Sequence, residues 1–217
     1  MTRRLAIFDC DGTLVDGQAA VCDAMDAAFR IAGLPPPDRQ QVRRIVGLSL
    51  PQAIRLLAPG QGEAQRSTID AAYRQAFRAA RESGALVEPL YAGISEVITA
   101  LADTGWTLAV ATGKSQRGLE HCLAQHGLTA RFASLQTADH HPSKPHPAMI
   151  EAALVQTGAD RATAVMIGDT VFDIGMAVAA GVRGIGVAWG YHTVQELHDA
   201  GAAAVAASPA HLQELLQ

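Results

Sequence analysis

The sequence predicts an α/β fold, in which a doubly wound, Rossmann-like parallel sheet carries an inserted α-helical cap domain. Three observations support this class. Short apolar runs alternate with helical patterns from about residue 90 onward, a long stretch after the first run has no strand pattern, and polar residues directly follow the strongest runs. Alternating strands and helices are typical of a parallel sheet with helices on both faces.

The predicted strands are short apolar runs without polar alternation, as expected for parallel strands that are buried on both faces. The strong candidates cover residues 5–8, 107–111, 164–167 and 184–188, and weaker candidates cover residues 132–136 and 202–206.

Helical patterns separate these runs. Ile94, Val97, Ile98 and Leu101 follow the spacing of one apolar helix face. Further along, Thr193 precedes Glu196 by three residues, which is the capping-box signature of a helix start. Together with the strands, these helices predict a core domain made of residues 1–16 and 86–217.

The stretch between the first two strong runs shows helical patterns instead. Ile69, Tyr73 and Phe77 fall on one helical face, and Ser67 with Asp70 fits a capping box that would begin this helix. We therefore expect residues 17–85 to form a helical cap domain inserted after the first strand.

Composition excludes several classes of protein. The chain of 217 residues is 49% hydrophobic, which suits a buried core, and its net charge of −4 gives no basic surface for nucleic acid or an acidic membrane. The apolar run near the N-terminus is too short for a secretory signal, and no apolar stretch could span a bilayer. We expect a cytoplasmic protein, as a monomer or a homodimer.

Chemistry-bearing side chains follow the strong strands. Because ligands bind beyond the carboxyl ends of strands in open α/β sheets, we expect these groups to gather at one edge. They are Asp9 and Asp11 after the run 5–8, Thr112 with Gly113 after 107–111, Asp169 and Asp173 after 164–167, and Lys144 between the last two of these runs. Four carboxylates in one place repel one another without a cation, and Mg²⁺ favours oxygen ligands.

The order of these motifs resembles the haloacid dehalogenase superfamily. The chain has DxDGT at 9–13, then Thr112, then Lys144-Pro145, then GDxxxD at 168–173. The order and the position of the predicted cap are similar to the helical-cap phosphatase branch, phosphoglycolate phosphatases in particular. The resemblance implies Mg²⁺-dependent hydrolysis of a small phosphorylated metabolite through an aspartyl-phosphate.

The resemblance also implies the roles of the carboxylates. Asp9 would be the nucleophile, and Asp11 would protonate the leaving alcohol and then deprotonate the attacking water. Mg²⁺ would be held by the Asp9 carboxylate, the Asp11 backbone carbonyl and Asp169, while Asp173 would support the site through water or without touching the metal.

The phosphate-binding residues implied by the same resemblance are Thr112, the Gly113 amide and Lys144. Gly113 departs from the family pattern, because many relatives carry asparagine there. In the cap, Arg44 and Gly47 lie where related caps often place a substrate-facing loop, so Arg44 is a candidate substrate-binding residue. His192 follows a predicted strand and is an open candidate for the pocket wall.

Two alternatives to hydrolysis remain from the sequence. A phosphomutase of the same superfamily would use the same aspartates and return the phosphoryl group to a sugar. A phospho-accepting receiver domain would also gather aspartates and a lysine, but its acceptor follows a later strand and it lacks a helical insertion. The substrate stays open among phosphoglycolate, sugar phosphates, nucleoside monophosphates and pyrophosphate.

Overall fold

The computed structural model describes residues 3–217, so the first two residues of the predicted core segment 1–16 lie outside the described residues. Six parallel strands form one sheet in the order β3-β2-β1-β4-β5-β6. The strands are β1 (Leu5–Phe8), β2 (Thr107–Thr112), β3 (Ser134–Thr137), β4 (Ala164–Gly168), β5 (Arg183–Val187) and β6 (Ala204–Ala206). The chain order reverses at β1, which is the crevice where such sheets bind ligands.

Both faces of the sheet are buried. Successive side chains of a strand point to opposite sides, so each strand contributes apolar residues to both faces. In β1, Ala6 and Phe8 belong to one apolar cluster, while Leu5 and Ile7 belong to the other. The flanking helices are α5 (Ile94–Asp103), α6 (Gln116–Gln125), α7 (Ala148–Thr157), α8 (Val171–Ala180), α9 (Val194–Asp199) and α10 (Pro209–Leu215). Helices α7 and α8 cover one face, and α5, α6 and α10 cover the other. The fold class is the one that the sequence predicts.

The only regular elements described in the segment between β1 and α5 are four helices. They are α1 (Gln18–Ile31), α2 (Arg39–Arg44), α3 (Leu50–Leu57) and α4 (Glu63–Glu82). These helices bury a third apolar cluster of their own, into which the core contributes Tyr191. The segment therefore has a separate small core, while its division from the rest at residues 17 and 85 stays a prediction.

The predicted helix patterns are confirmed with one exception. Ile94, Val97, Ile98 and Leu101 are all buried on α5, and Thr193 with Glu196 forms the capping box of α9. The capping box at Ser67 and Asp70 is wrong. Helix α4 begins at Glu63, so both residues lie inside it, where the same three-residue spacing simply places them on adjacent turns.

The six predicted strands are also present, with boundaries shifted by no more than two residues. Two starts shift by two residues, that of β3 from 132 to Ser134 and that of β6 from 202 to Ala204, and Phe132 packs into the core as a loop residue. Within residues 3–217, no helix is both long enough and apolar enough to cross a membrane.

Candidate active site

A buried lysine joins two of the predicted carboxylates at the carboxyl edge of the sheet. Lys144 Nζ lies 2.8 Å from Asp9 Oδ1 and 2.6 Å from Asp173 Oδ1, and all three side chains are fully buried. The Cys10 backbone N–H donates a second hydrogen bond of 2.6 Å to Asp9 Oδ1. One Asp9 oxygen is therefore fixed, while its other oxygen, Oδ2, is buried without a hydrogen-bond partner.

Asp169 completes the cluster from the end of β4. Its carboxylate is held by the Thr13 hydroxyl at 2.9 Å and by the Tyr191 backbone N–H at 2.9 Å. Oxygens of Asp9, Asp169 and Asp173 all lie within 4.8 Å of one another. The structure thus brings together three of the four carboxylates that the sequence assigns to the site.

Asp173 also explains how α8 begins. Thr170 is the N-cap of α8, and Asp173 accepts from the Thr170 N–H at 3.0 Å and from its hydroxyl at 2.7 Å. With Lys144 on its other oxygen, the Asp173 carboxylate is occupied by protein donors. It is therefore suited to position Lys144 and the start of α8.

The electrostatics of this cluster favour the binding of a cation. Burial raises the pKa of the Asp9 carboxyl to about 7, although Lys144 opposes the rise. Burial and the negative charges of Asp173 and Asp9 raise the pKa of Asp169 well above its usual range. Both pKa shifts arise first from burial and then from repulsion between neighbouring carboxylates.

The donor set fits Mg²⁺. Hard carboxylate oxygens are the ligands that this ion prefers, and the unpartnered Asp9 Oδ2 is a buried acceptor that a cation would satisfy. Asp9 Oδ2 is unpartnered and each Asp169 oxygen accepts a single hydrogen bond from a neutral donor, whereas Asp173 accepts from Thr170 and is paired with the charged Lys144.

Asp11 lies apart from this cluster and makes a different ion pair. Lys114 Nζ is 2.7 Å and 3.0 Å from the two Asp11 oxygens, and 2.7 Å from Glu88 Oε1. Burial opposes the charge of Lys114, but the Asp11 and Glu88 carboxylates raise its pKa well above its ordinary value. The Asp11 side chain is thus held in place by a lysine that neutralises it.

Lys114 and Glu88 were not predicted as site residues. Lys114 is one of only two lysines in the chain, which is a weak signal for a special role. Glu88 lies between the cap helices and α5 and carries no motif. Only the tertiary fold brings it to Lys114.

The cap presses against the predicted phosphate-binding turn. Thr112 is the last residue of β2 and is buried, and its hydroxyl accepts from the Lys114 N–H at 3.2 Å. A Cβ atom at Gly113 would lie 2.5 Å from the carbonyl oxygens of Gly47 and Leu48. Position 113 therefore needs glycine in this closed arrangement, which gives a physical reason for its departure from asparagine.

The same cap loop covers the nucleophile candidate. Gly47 has φ +98°, and a Cβ there would lie 3.4 Å from Thr170 Oγ1 and 3.9 Å from Asp9 Oδ2. A neighbouring contact ties the loop to the core, where the Ser49 N–H donates to Ser143 Oγ at 2.9 Å. The loop lies directly over the catalytic edge of the sheet.

Arg44 does not reach the site. Its guanidinium forms a bidentate pair with Glu196 on α9, with one N–H···O distance of 2.9 Å. The prediction differs because Arg44, at the end of α2, lies beside Glu196 of α9. Its guanidinium therefore pairs with this core carboxylate and does not point toward the substrate. Arg44 joins cap to core instead of lining the cavity.

His192 has a similar joining position. Its Nδ1 accepts from the Val171 N–H at 3.2 Å, so its Nε2–H donates to the Arg44 carbonyl at 3.1 Å. Burial lowers the pKa of His192, which favours this neutral form. His192 belongs to the cap–core contact and is absent from the residues that line the cavity.

A cavity of about 380 Å³ lies between the cap helices and the core and begins beside Asp11 and Gly113. Its walls come from α1 to α4 of the cap and from the Gly113–Gly118 region of the core. A substrate held with its phosphoryl group at the sheet edge would extend into this space.

The haloacid dehalogenase-like hydrolase family matches residues 6–187 of the chain. The chain belongs to this family. It is 40% identical over 197 residues to the probable phosphatase IndB of Dickeya dadantii, covering 89% of this chain and 84% of that protein. It is 34% identical over 192 residues to a phosphoglycolate phosphatase of Agrobacterium fabrum, covering 88% and 82%.

Solved structures of the haloacid dehalogenase-like fold agree. A predicted phosphatase from Clostridium acetobutylicum superposes with a TM-score of 0.88 at 25% identity, covering 100% of this chain and 99% of that chain. A hydrolase from Pseudomonas syringae gives a TM-score of 0.87 at 23% identity, covering 99% and 100%, and this likeness concerns the fold alone. The predicted family, fold class and enzymatic nature are confirmed.

Proposed function

We propose that the chain is a Mg²⁺-dependent phosphatase that hydrolyses a small phosphate monoester through an aspartyl-phosphate on Asp9. The observation that carries this proposal is the Asp9 carboxylate itself. One oxygen accepts from Lys144 and Cys10, and the other is buried and unpartnered, so the carboxylate is held in a fixed orientation at the edge of the sheet. The phosphatases among its relatives support the same reaction class.

The chain's residues divide the reaction into two displacements. A carboxylate oxygen of Asp9 attacks phosphorus, a new O–P bond forms, and the bond from phosphorus to the leaving oxygen breaks as that oxygen takes a proton from the Asp11 carboxyl. Asp11 then accepts a proton from water as the water oxygen attacks phosphorus and Asp9 is released. Lys114 and Glu88 hold the Asp11 side chain on the cavity side of the site.

Several groups would offset the negative charge of the phosphate in this proposal. Lys144 lies beside Asp9, and Thr112 and the Gly113 N–H, at the end of the neighbouring strand β2, would bind phosphate oxygens. Mg²⁺ held by Asp9, Asp169 and the Asp11 carbonyl would supply further positive charge against the phosphate oxygens. The cap loop at Gly47 and Leu48 would exclude bulk water when it is closed.

The proposal is tested by free-phosphate release from a panel of phosphorylated metabolites, with Mg²⁺ and with EDTA. The panel includes phosphoglycolate, sugar phosphates, nucleoside monophosphates, pyrophosphate and 4-nitrophenyl phosphate. Wild type is compared with Asp9→Asn and with the control Asp103→Asn, whose carboxylate is exposed at the end of α5.

We expect Mg²⁺-dependent release that Asp9→Asn lowers by on the order of 10³-fold or more and that Asp103→Asn leaves unchanged. Release by Asp9→Asn at the wild-type rate would remove Asp9 as nucleophile. An isomerised sugar phosphate without free phosphate would favour the mutase alternative.

A further inference from the structure

The cavity beside Asp11 is larger than a two-carbon substrate requires. Its volume of about 380 Å³ falls within the range of roughly 300–1,000 Å³ that is usual for pockets of drug-sized ligands. Phosphoglycolate has two carbons besides its phosphate, and a molecule of that size would leave most of the space unfilled. The cavity itself therefore contains information about the leaving group.

Much of the cavity wall is apolar. Tyr73 and Phe77 on α4 contact each other with tilted rings at a centroid distance of 5.0 Å, and both line the cavity. Met25, Leu50 and Leu86 add aliphatic surface from three other parts of the chain. A wall of this composition favours a ligand with an apolar or aromatic body, because such a body buries apolar surface on both partners.

The same cavity has a surplus of positive charge. Arg78 and Arg81 of α4 and Arg117 of α6 all line it. Within residues 3–217, none of these three guanidinium groups forms an ion pair. The basic residues that do are Arg39, Arg44, Arg74, Lys114 and Lys144. Arg81 Nε is moreover buried without any hydrogen-bond partner.

Local explanations do not account for the three arginines together. Arg81 stands in the last turn of α4, where a cation suits the helix dipole, but this explains one of the three. Of the carboxylates that line the cavity, Asp11 and Glu88 are paired with Lys114. Asp139 remains, and one of its oxygens accepts from the Gln116 N–H at 2.8 Å. The cavity wall therefore has three arginines outside the ion pairs and only one carboxylate, Asp139, that is not paired with Lys114.

We propose that the physiological substrate is a phosphate monoester with an apolar body and a second anionic group, which Arg81, Arg78 and Arg117 bind. The inference rests on the proposed phosphatase function and specifies its substrate class. A carboxylate or a second phosphate would fit, because guanidinium groups bind both through paired hydrogen bonds. Phosphoglycolate, which lacks the apolar body, is then a poor substrate.

The proposal is tested with matched synthetic substrates under Mg²⁺. Benzyl phosphate supplies the apolar body alone, phosphoglycolate supplies the second anion alone, and 4-carboxybenzyl phosphate supplies both. A benzene-1,4-dimethanol bisphosphate arm replaces the carboxylate by a phosphate and distinguishes the two kinds of anion. We expect kcat/KM of a doubly charged benzyl substrate to exceed those of benzyl phosphate and phosphoglycolate by about tenfold or more, as for a charged hydrogen bond.

Variants connect this preference to the arginines. Arg81→Gln should lower kcat/KM of the doubly charged benzyl substrates by about tenfold and that of benzyl phosphate by much less, so that most of the preference for the second anion is lost. The exposed Arg78 gives a second variant, Arg78→Gln, that is less demanding on folding. Arg30→Gln on α1 is the matched control, because Arg30 is an exposed cap arginine outside the cavity.

Binding separates this inference from the reaction. In the Asp9→Asn background, calorimetry should show tighter binding of 4-carboxybenzyl phosphate or the bisphosphate than of benzyl phosphate, with the difference lost in Arg81→Gln. Equal binding and equal turnover of charged and uncharged benzyl substrates would overturn the second-anion site, as would phosphoglycolate being the best of the four. Preferential binding without phosphate release from any substrate would keep the site and overturn the phosphatase.

Discussion

The two ends of the active-site cleft are built on different principles. At the phosphoryl end, Asp9, Lys144, Asp169 and Asp173 are fully buried, come from strand ends and adjoining loops, and form a dense network of charges. At the cavity end, the wall comes mainly from cap helices, and within the described residues Arg78 and Arg117 are exposed and form none of the ion pairs. In our proposals, core side chains carry out the chemistry, and the choice of substrate depends mainly on the cap.

The largest expected effect comes from removing the positive charge of Lys144 at the phosphoryl end. Lys144→Gln leaves Asp9 and Asp173 buried without their shared partner, which should cost about 3–5 kcal/mol of unfolding free energy. Urea unfolding measures this loss, and phosphate release should fall on the order of 10³-fold. The double variant Lys144→Gln/Asp173→Asn should recover part of the stability but not the activity. Recovery of both would mean that Lys144 is purely structural.

The second test concerns Lys114, which lies where the two ends meet. Because Lys114 holds Asp11, Lys114→Met should lower turnover of an alkyl phosphate by about 10²-fold, the lower range for general acid–base catalysis. Turnover of 4-nitrophenyl phosphate should fall less, because its leaving group needs no proton. In an Asp11→Asn background, Lys114→Met should add little. An equal loss on both substrates would separate Lys114 from proton transfer.

The third test loosens the contact between cap and core. Gly113→Ala places a methyl group about where the Gly47 and Leu48 carbonyls now lie, so the cap loop must move away. We expect roughly a tenfold loss of kcat/KM, since misplaced closure impairs positioning. Gly60→Ala, which has no atom near its added methyl, is the control. Unchanged kinetics in Gly113→Ala would show that this closed contact is not used in turnover.

The smallest expected effect is a pH-dependent stabilisation by Mg²⁺. The pKa of Asp9 is raised to about 7 and that of Asp169 is raised as well, so the metal-free folded protein binds more protons than the unfolded chain between about pH 4 and pH 7. Its stability contribution from these groups therefore falls as pH rises through that window.

Mg²⁺ relieves the same repulsion, so its increment in Tm should be larger at pH 8 than at pH 5. We expect a difference of about 1 kcal/mol, or about 2–4 °C for a chain of this size. Asp169→Asn should raise the metal-free Tm and reduce the Mg²⁺ increment. A pH-independent increment that survives Asp169→Asn would place the ion elsewhere.

The meeting of Asp9 and Asp169 at the phosphoryl end could be predicted from the sequence, because both residues directly follow strands. Asp9 and Asp169 follow β1 and β4, which are neighbours in the sheet, so their positions along the chain determine their meeting. Arg44 could not be placed in the same way, since its partner Glu196 lies 152 residues away and depends on how α2 meets α9. Glu88 and Arg81 were missed for the same reason, because their surroundings are created by tertiary packing.

The central claim is the phosphorylated Asp9, and chemical trapping tests it most directly. The protein is mixed with its best substrate and Mg²⁺ and quenched with borohydride, which reduces an acyl phosphate to the alcohol, and the peptides are examined by mass spectrometry. We expect homoserine in place of Asp9, formed only when substrate is present and absent from Asp9→Asn. Homoserine at another aspartate, or none at Asp9 under conditions that trap a known aspartyl-phosphate enzyme, would show that Asp9 is not the residue phosphorylated.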